Sequence, residues 1–302
     1  MQNYRGSSMP KVVLTKTGDR KQNILESLKP LEEEIKTGIG DKQVILKPNC
    51  VSDTIQLAST HVDHLRGILD FLKPLYKKKI IIAESSAFDS KNAFKNFEYE
   101  KLTKEYNAEL KDLNDDVFEE KEIINSDYKP LKIRIAKTLL DQNNYIISAA
   151  KLKTHDTVVA TLSLKNIVMA SMLKNSNGND KVKMHAGIKQ INKSLFMLAK
   201  EGLKPDLASI DGFIGMEGEG PVDGGPVEMG IAIASTDFLA ADRVALELME
   251  IAPEKIGYLM YCRDAELGEY DLNKIKIIGE KPKNLKKQFK LHSSAKAQFN
   301  WR

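Results

Sequence analysis

The sequence predicts an α/β fold: a mostly parallel sheet with helices on both faces, as one large domain or as two α/β lobes around one cleft. Three observations predict it. Short β-prone apolar runs at 44–46, 80–82, 145–147, 207–210, 231–234 and 275–278 alternate with amphipathic helical patterns. Strands alternating with helices imply parallel pairing through right-handed crossovers. Strand after strand then ends in polar residues, and open α/β sheets bind ligands at those carboxyl ends.

In chain order, 11–14 reads as a first strand, and Asp19 can cap a helix to about Lys36. Ile24, Leu25, Leu28, Leu31 and Ile35 form its apolar stripe, and Pro30 splits or kinks it. The strand at 44–46 must stop by Pro48, which has no N–H for a ladder. A helix opens at 59–63 and carries Leu65, Ile68, Leu69 and Leu72 at helical spacing. The strand at 80–82 ends in Glu84, Ser85 and Ser86, and a helix covers about 91–106. Segment 108–137 reads as short strands or an edge hairpin. The run Tyr145-Ile146-Ile147 is a buried strand that opens into Lys151, Lys153, Thr154 and His155. Polar 174–181 reads as a mobile loop. An amphipathic helix follows at 188–201, stopped by Gly202. The strand at 207–210 ends in Asp211 and leads into a loop, 212–225, with six glycines. After the strand at 231–234 come helices at 238–249 and 253–267 and the last strand, 275–278.

Hydrophobic residues at 42% and charged residues at 29% place the chain among globular proteins. No run approaches the roughly 18 apolar residues of a membrane span. The N-terminus lacks the apolar core of a secretion signal, so a cytoplasmic location is expected. Residues 1–10 read as disordered or tag-like; 11–280 is the folded part, with 11–145 and 146–280 as candidate lobes; 281–302 is a basic tail. Seven of the 46 basic residues fall in that tail with no acidic one, leaving 39 against 42 elsewhere. A mildly acidic body argues against a broad nucleic-acid face. Cys50 and Cys262 are far apart and form no metal or cluster motif.

The chemistry concentrates at strand ends. Lys151, Lys153 and Lys165 would repel one another unless acidic side chains (Asp211, Glu217, Asp242) or a bound phosphate or carboxylate lay between them. Lys47, Asn49, Ser85 and Asn166 would complete the cradle. A lysine crowded by cations has a depressed pKa, suited to a base or an imine-forming nucleophile. The expected catalytic set is His155, Lys153 and Glu217. Asp211, Asp242, His61 and His185 are the candidates for a divalent metal, although their spacing is no metal motif. The order G-M-E-G-E-G-P at 215–221 is neither a Walker A loop nor the dinucleotide fingerprint.

L-K-P-N at 46–49, A-A-K-L-K-T-H at 149–155, S-L-K-N at 163–166, K-P-D-L-A-S-I-D-G at 204–212, G-M-E-G-E-G-P at 215–221 and A-S-T-D-F-L-A-A-D at 234–242 carry a resemblance. With them the chain resembles the uncharacterised family called domain of unknown function 362. Longer members resemble redox proteins because they add a ferredoxin-like segment with two four-cysteine runs. This chain lacks those runs, so no iron–sulfur cluster ligated by it is expected. A more distant likeness, of layout and strand-end Lys/His residues alone, is to the nickel-pincer lactate racemase group. Three functions follow as expectations. The first is an enzyme acting on a small anionic metabolite. The second is a redox-accessory or cofactor-binding module working with a separate ferredoxin. The third is nucleic-acid binding through the tail, where Phe289, Phe299 and Trp301 could stack on bases.

Overall fold

The computed structural model describes residues 9–302, so the expectation for residues 1–8 lies outside the described residues. Strand β1 (Lys11–Thr15) leads to α1 (Arg20–Leu28), where Asp19 accepts from the Gln22 N–H at 2.8 Å. Pro30 breaks the helical run at a 3-10 turn before α2 (Glu32–Ile39). β2 (Gln43–Lys47) stops at Pro48. α3 (Val62–Leu72) is capped by His61, whose Nδ1 accepts from the Asp63 N–H at 3.1 Å. β3 (Ile80–Glu84) precedes α4 (Ser90–Asn96) and α5 (Tyr99–Glu105). The single helix expected at 91–106 is interrupted at Glu98, which has φ 64°. β4 (Ala108–Asp112) joins the main sheet, whereas β5 (Phe118–Ile124) and β6 (Pro130–Ala136) form a separate hairpin.

Three expectations fail in the second half. β7 (Asn144–His155) does not end near residue 147 but runs on through Lys151, Lys153 and His155, because β11 and β8 go on pairing with it. After β8 (Val159–Thr161) and α6 (Ser163–Met169), the polar stretch at 174–181 is not a loop. It forms a tight hairpin of β9 (Lys174–Asn175) and β10 (Gly178–Asn179) and the start of α7 (Asp180–Lys183). Asp180 pins it by accepting from the Arg134 N–H (2.8 Å) and Nε (2.7 Å). α8 (Ile188–Lys200) follows. The first half of the glycine-rich stretch is strand: β11 (Leu207–Glu217) runs into it and pairs as a hairpin with β12 (Gly225–Ser235). α9 (Phe238–Leu248), α10 (Gly257–Asp264), β13 (Lys276–Gly279) and α11 (Ala295–Gln298) complete the chain.

The main sheet has nine strands in the order β13-β1-β12-β11-β7-β2-β3-β4, with β8 added beside β7. Pairing is parallel for β1–β13, β11–β7, β7–β2, β2–β3 and β3–β4, and antiparallel for β1–β12, β11–β12 and β7–β8. β7 is central and spans residue 145/146, so the sheet is continuous between the two segments considered as lobes. Alternate strand residues serve opposite faces. Ile45 and Ile146 pack with Ile167 (α6), Leu195 (α8), Val244 (α9) and Leu259 (α10), whereas Val44, Leu46 and Ile147 pack with Ile24, Ile35, Leu65 and Phe94 of α1 to α4. Among the described residues no helix is long and apolar enough to cross a membrane.

Candidate functional site

A cavity of about 210 Å³ opens where β2 ends and β7 does not. β2 pairs with β7 only over Asn144–Ser148; Pro48 then turns the chain away. β8 folds back along β7 and pairs with Lys153, Thr154 and His155. The gap between the end of β2 and β8 is walled by the ends of β2 and β3, by α6, and by the segment around α7.

Each wall is fixed by buried polar contacts. Lys47 and Glu84 are fully buried, and Lys47 Nζ lies 2.9 Å from Glu84 Oε2. Glu84 also accepts from the N–H of Cys50 (2.8 Å) and Ser85 (2.7 Å). Asn166 of α6 is the hub between strands: its Oδ1 accepts from Lys47 Nζ (3.2 Å) and Asn49 Nδ2 (3.1 Å), and its Nδ2 donates to Ser148 Oγ (3.0 Å). The N-terminus of α6 is held by Asp242 of α9, which accepts from the Ser163 N–H (2.8 Å), Ser163 Oγ (2.6 Å) and the Leu164 N–H (3.2 Å). The cis Gly220–Pro221 bond sits in the β11–β12 turn, and Pro221 forms part of the wall. Gly220 packs so closely on β7 that a Cβ there would overlap the Thr154 carbonyl oxygen.

Three lysines face this space. Lys153 Nζ donates to Ala58 O (2.6 Å) and Pro221 O (3.4 Å). Lys181 Nζ donates to Ser85 Oγ (2.6 Å), Met172 O (2.7 Å) and Met169 O (3.3 Å), which uses all three of its protons. Lys165 is 5% exposed and has no hydrogen bond or ion pair with any described residue. Burial pushes Lys165 down to about 8 and Lys181 down to about 7. Lys153 is held well below the ordinary lysine value by burial and by Lys165 and Lys151. His155 Nδ1 accepts from the Thr157 N–H (3.0 Å) and lies 2.9 Å from Asp156 Oδ1, whereas Nε2 has no hydrogen bond with any described residue. Burial and then Lys165 push His155 down to about 3, so the imidazole is neutral. His185 stacks on it with ring centroids 6.3 Å apart and is pushed down to about 4, again by burial first.

The cavity thus gathers Asn49, Ser85, Lys153, His155, Lys165, Asn166 and His185 from the expected set, with Lys47 one contact behind. It does not gather the rest. Lys151 turns to Ile214 O (2.8 Å) and belongs to a second buried cluster with Asp211, Arg20 and His64. There the bulge in β11 between Asp211 and Met216 brings the Ile214 carbonyl within reach. Asp211 pairs with Arg20 at 3.1 Å, and although burial opposes its charge, Lys151 and Arg20 hold it below the ordinary carboxylate value. His61 caps α3 and Asp242 caps α6, so Asp211, Asp242, His61 and His185 do not converge. Among the described residues no group of three or more His, Cys, Asp or Glu side chains could hold a metal. Glu217 lies outside the cavity and accepts from the Lys290 N–H at 2.9 Å.

That contact belongs to the C-terminal segment, which packs on the turns around the site. Ser294 Oγ donates to Asp156 O (2.9 Å), and Gln298 Oε1 accepts from the Val159 N–H (2.5 Å). Of the three aromatics considered for base stacking, Phe289 and Trp301 are buried, and Phe299 is half-buried with Lys255 Nζ 4.6 Å from its ring centroid. Val159 has φ 68°, a strained conformation for a β-branched residue, so its buried N–H depends on Gln298. Gln298→Ala is expected to cost about 1–3 kcal/mol, the penalty of one buried unpaired donor, read from the urea unfolding midpoint at unchanged m-value.

Lys181 is absent from the expected site residues, because the polar run 174–181 reads as a loop. Its signal was local: Asn179 and Asp180 directly before it, residues that cap a short helix.

The family model described as "Domain of unknown function (DUF362)" matches residues 44–247, which include every residue lining the cavity. The chain belongs to this DUF362 family. A thylakoid-associated protein of Synechocystis sp. (strain ATCC 27184 / PCC 6803 / Kazusa) is 32% identical over 128 residues, which are 41% of this DUF362 chain and 38% of that protein. The lactate racemase apoprotein from Thermoanaerobacterium thermosaccharolyticum superposes with a TM-score of 0.45 at 14% identity. That alignment covers 83% of this chain and 60% of that one.

Proposed function

We propose that the cavity at the end of β7 binds a small carboxylated or phosphorylated metabolite and that the protein is an enzyme acting on it. The observation that carries this reading is Lys165, a buried amine with no partner among the described residues in a cavity that two further lysines border. A buried ammonium is costly unless an anion faces it. A bound carboxylate or phosphate would supply that anion, with Asn49 and Lys153 within the same walls as further donors. Neutral His155 accepts the Thr157 N–H at Nδ1, which leaves its ring proton on Nε2 as a donor toward a bound oxygen.

The test is thermal stability with inorganic phosphate, oxalate and glycolate. A ligand at a hundred times its dissociation constant adds about 2.7 kcal/mol. Lys165→Gln should remove the response to whichever anion gives it, and an unchanged response would sink the assignment. The pH dependence has a fixed sign. The anion needs the charged amines, and Lys165 and Lys181 lose their protons as pH rises through about 8 and about 7. Affinity should therefore fall by at least about tenfold between pH 6 and pH 9, roughly 1.4 kcal/mol, by titration calorimetry. Affinity independent of pH over that range would mean the lysines do not contact the ligand.

A further inference from the structure

Lys165 differs from the two lysines beside it in what its nitrogen does. Lys153 and Lys181 spend protons on fixed carbonyl and hydroxyl oxygens, which ties their nitrogens to the walls. Asp156, the carboxylate that acts on Lys165 electrostatically, is itself held by His155 (2.9 Å) and Thr157 Oγ1 (2.7 Å). Lys165 Nζ therefore has no oxygen fixed against it, and α6, anchored through Asp242 and Asn166, holds its stem in place. A buried amine of this kind, presented to a cavity, is suited to attack carbon.

We propose that Lys165 is an imine-forming nucleophile, and that the metabolite bound in this cavity carries an aldehyde or ketone carbon beside its anionic group. The proposal rests on the reading of the cavity as an anion site and names the substrate class of that site. The lone pair of the neutral amine forms the N–C bond, and the carbonyl π pair moves to oxygen. The two protons shed by nitrogen leave with that oxygen as water, giving the C=N bond with no change in oxidation state. The anionic group then stays with Lys153 and Asn49. The cavity, about 210 Å³, is small, which suits a ligand of a few non-hydrogen atoms. The lowered basicity of Lys165 works the same way: titrating near about 8 rather than 10.5, it holds roughly 300 times more free amine at pH 7 than an ordinary lysine.

The experiment uses the full chain at pH 7 with glyoxylate and sodium cyanoborohydride, which reduces the imine to a stable carboxymethyl-lysine, followed by peptide mapping. Lys91 on α4, with its side chain 76% exposed, is the internal reference. Lys165 should be labelled at least about tenfold faster than Lys91, because its lowered basicity leaves more free amine on a nitrogen that faces the cavity. Oxalate, an anion without an aldehyde, should slow that labelling, and Lys165→Arg should abolish it while keeping the charge. Labelling of Lys165 no faster than Lys91 would overturn the proposal. Thermal stabilisation by oxalate with Lys165 unlabelled would overturn the imine and leave the anion site standing. Rapid labelling that oxalate neither slows nor competes with would instead overturn the anion reading beneath it.

Discussion

Glu84→Ala is expected to destabilise the protein by about 3–5 kcal/mol, the cost of leaving one member of a buried ion pair without the other. Lys47 and Glu84 are 0% and 1% exposed and 2.9 Å apart. Removing the carboxylate leaves the Lys47 ammonium with only the Pro48 carbonyl and Asn166 Oδ1. It also takes the acceptor from the N–H groups of Cys50 and Ser85. Adding Lys47→Met to Glu84→Ala should recover part of the loss, because an apolar pair of similar volume often replaces a buried ion pair without net cost. Recovery should be incomplete, since the two backbone donors remain unpaired. Urea unfolding of the two single variants and the double variant gives the coupling directly. A single Glu84→Ala variant within about 1 kcal/mol of the parent would show that the pair is not the fastening between β2 and β3.

The same pair explains why much of the site was legible. The polar ends of β2 and β3 stand out because Pro48 stops one strand and Glu84-Ser85-Ser86 follows the apolar run of the other. Parallel pairing then brings them together although 37 residues separate Lys47 from Glu84. Lys153, His155, Lys165 and Asn166 were legible as chemistry in the same way. What periodicity could not reveal was the length of β7. Lys151, Lys153 and His155 look like loop residues, and only continued pairing with β11 and β8 makes them strand. Lys151 and Lys153 share one face of that strand, two residues apart: the first meets the β11 bulge and the second the cavity wall.

Glycine misled in a related way. Six glycines in 212–225 suggested a loop, but Gly212 and Gly215 lie within β11, pressed against Ile231 and the Leu152 carbonyl, where a Cβ does not fit. Glu217 therefore sits on a strand that the C-terminal segment covers, rather than on a ligand loop. The tail's basic charge hid its packing: Phe289, Gln298 and Trp301 are buried, and the lysines between them are largely at the surface.

Asp242→Ala is expected to cost about 3–5 kcal/mol and to weaken anion binding together with stability. Three donors of α6 converge on this one buried carboxylate, and alanine would leave the Ser163 N–H, the Ser163 hydroxyl and the Leu164 N–H unpaired. Lys165 and Asn166 are the next residues on that helix, so loss of its anchor also loosens the cavity wall. The acid itself has an opposing balance. Burial pushes Asp242 up to about 7, only partly offset by the three donors. A folded-state value above the unfolded one means that the folded chain binds the proton more tightly. This contribution to stability is complete at low pH and is lost as pH rises from about 4 through about 7. Asp242→Asn removes that slope. Its amide keeps the shape but turns a donor toward the Leu164 N–H, so it should be less stable than the parent, by about 1–3 kcal/mol at pH 5. The gap should narrow toward pH 8, as the parent alone bears the cost of ionising a buried acid. Urea midpoints of the two proteins across that range decide it. A gap that stays constant over that range would mean that Asp242 is ionised throughout and that the α6 N-terminus, rather than burial, sets its charge.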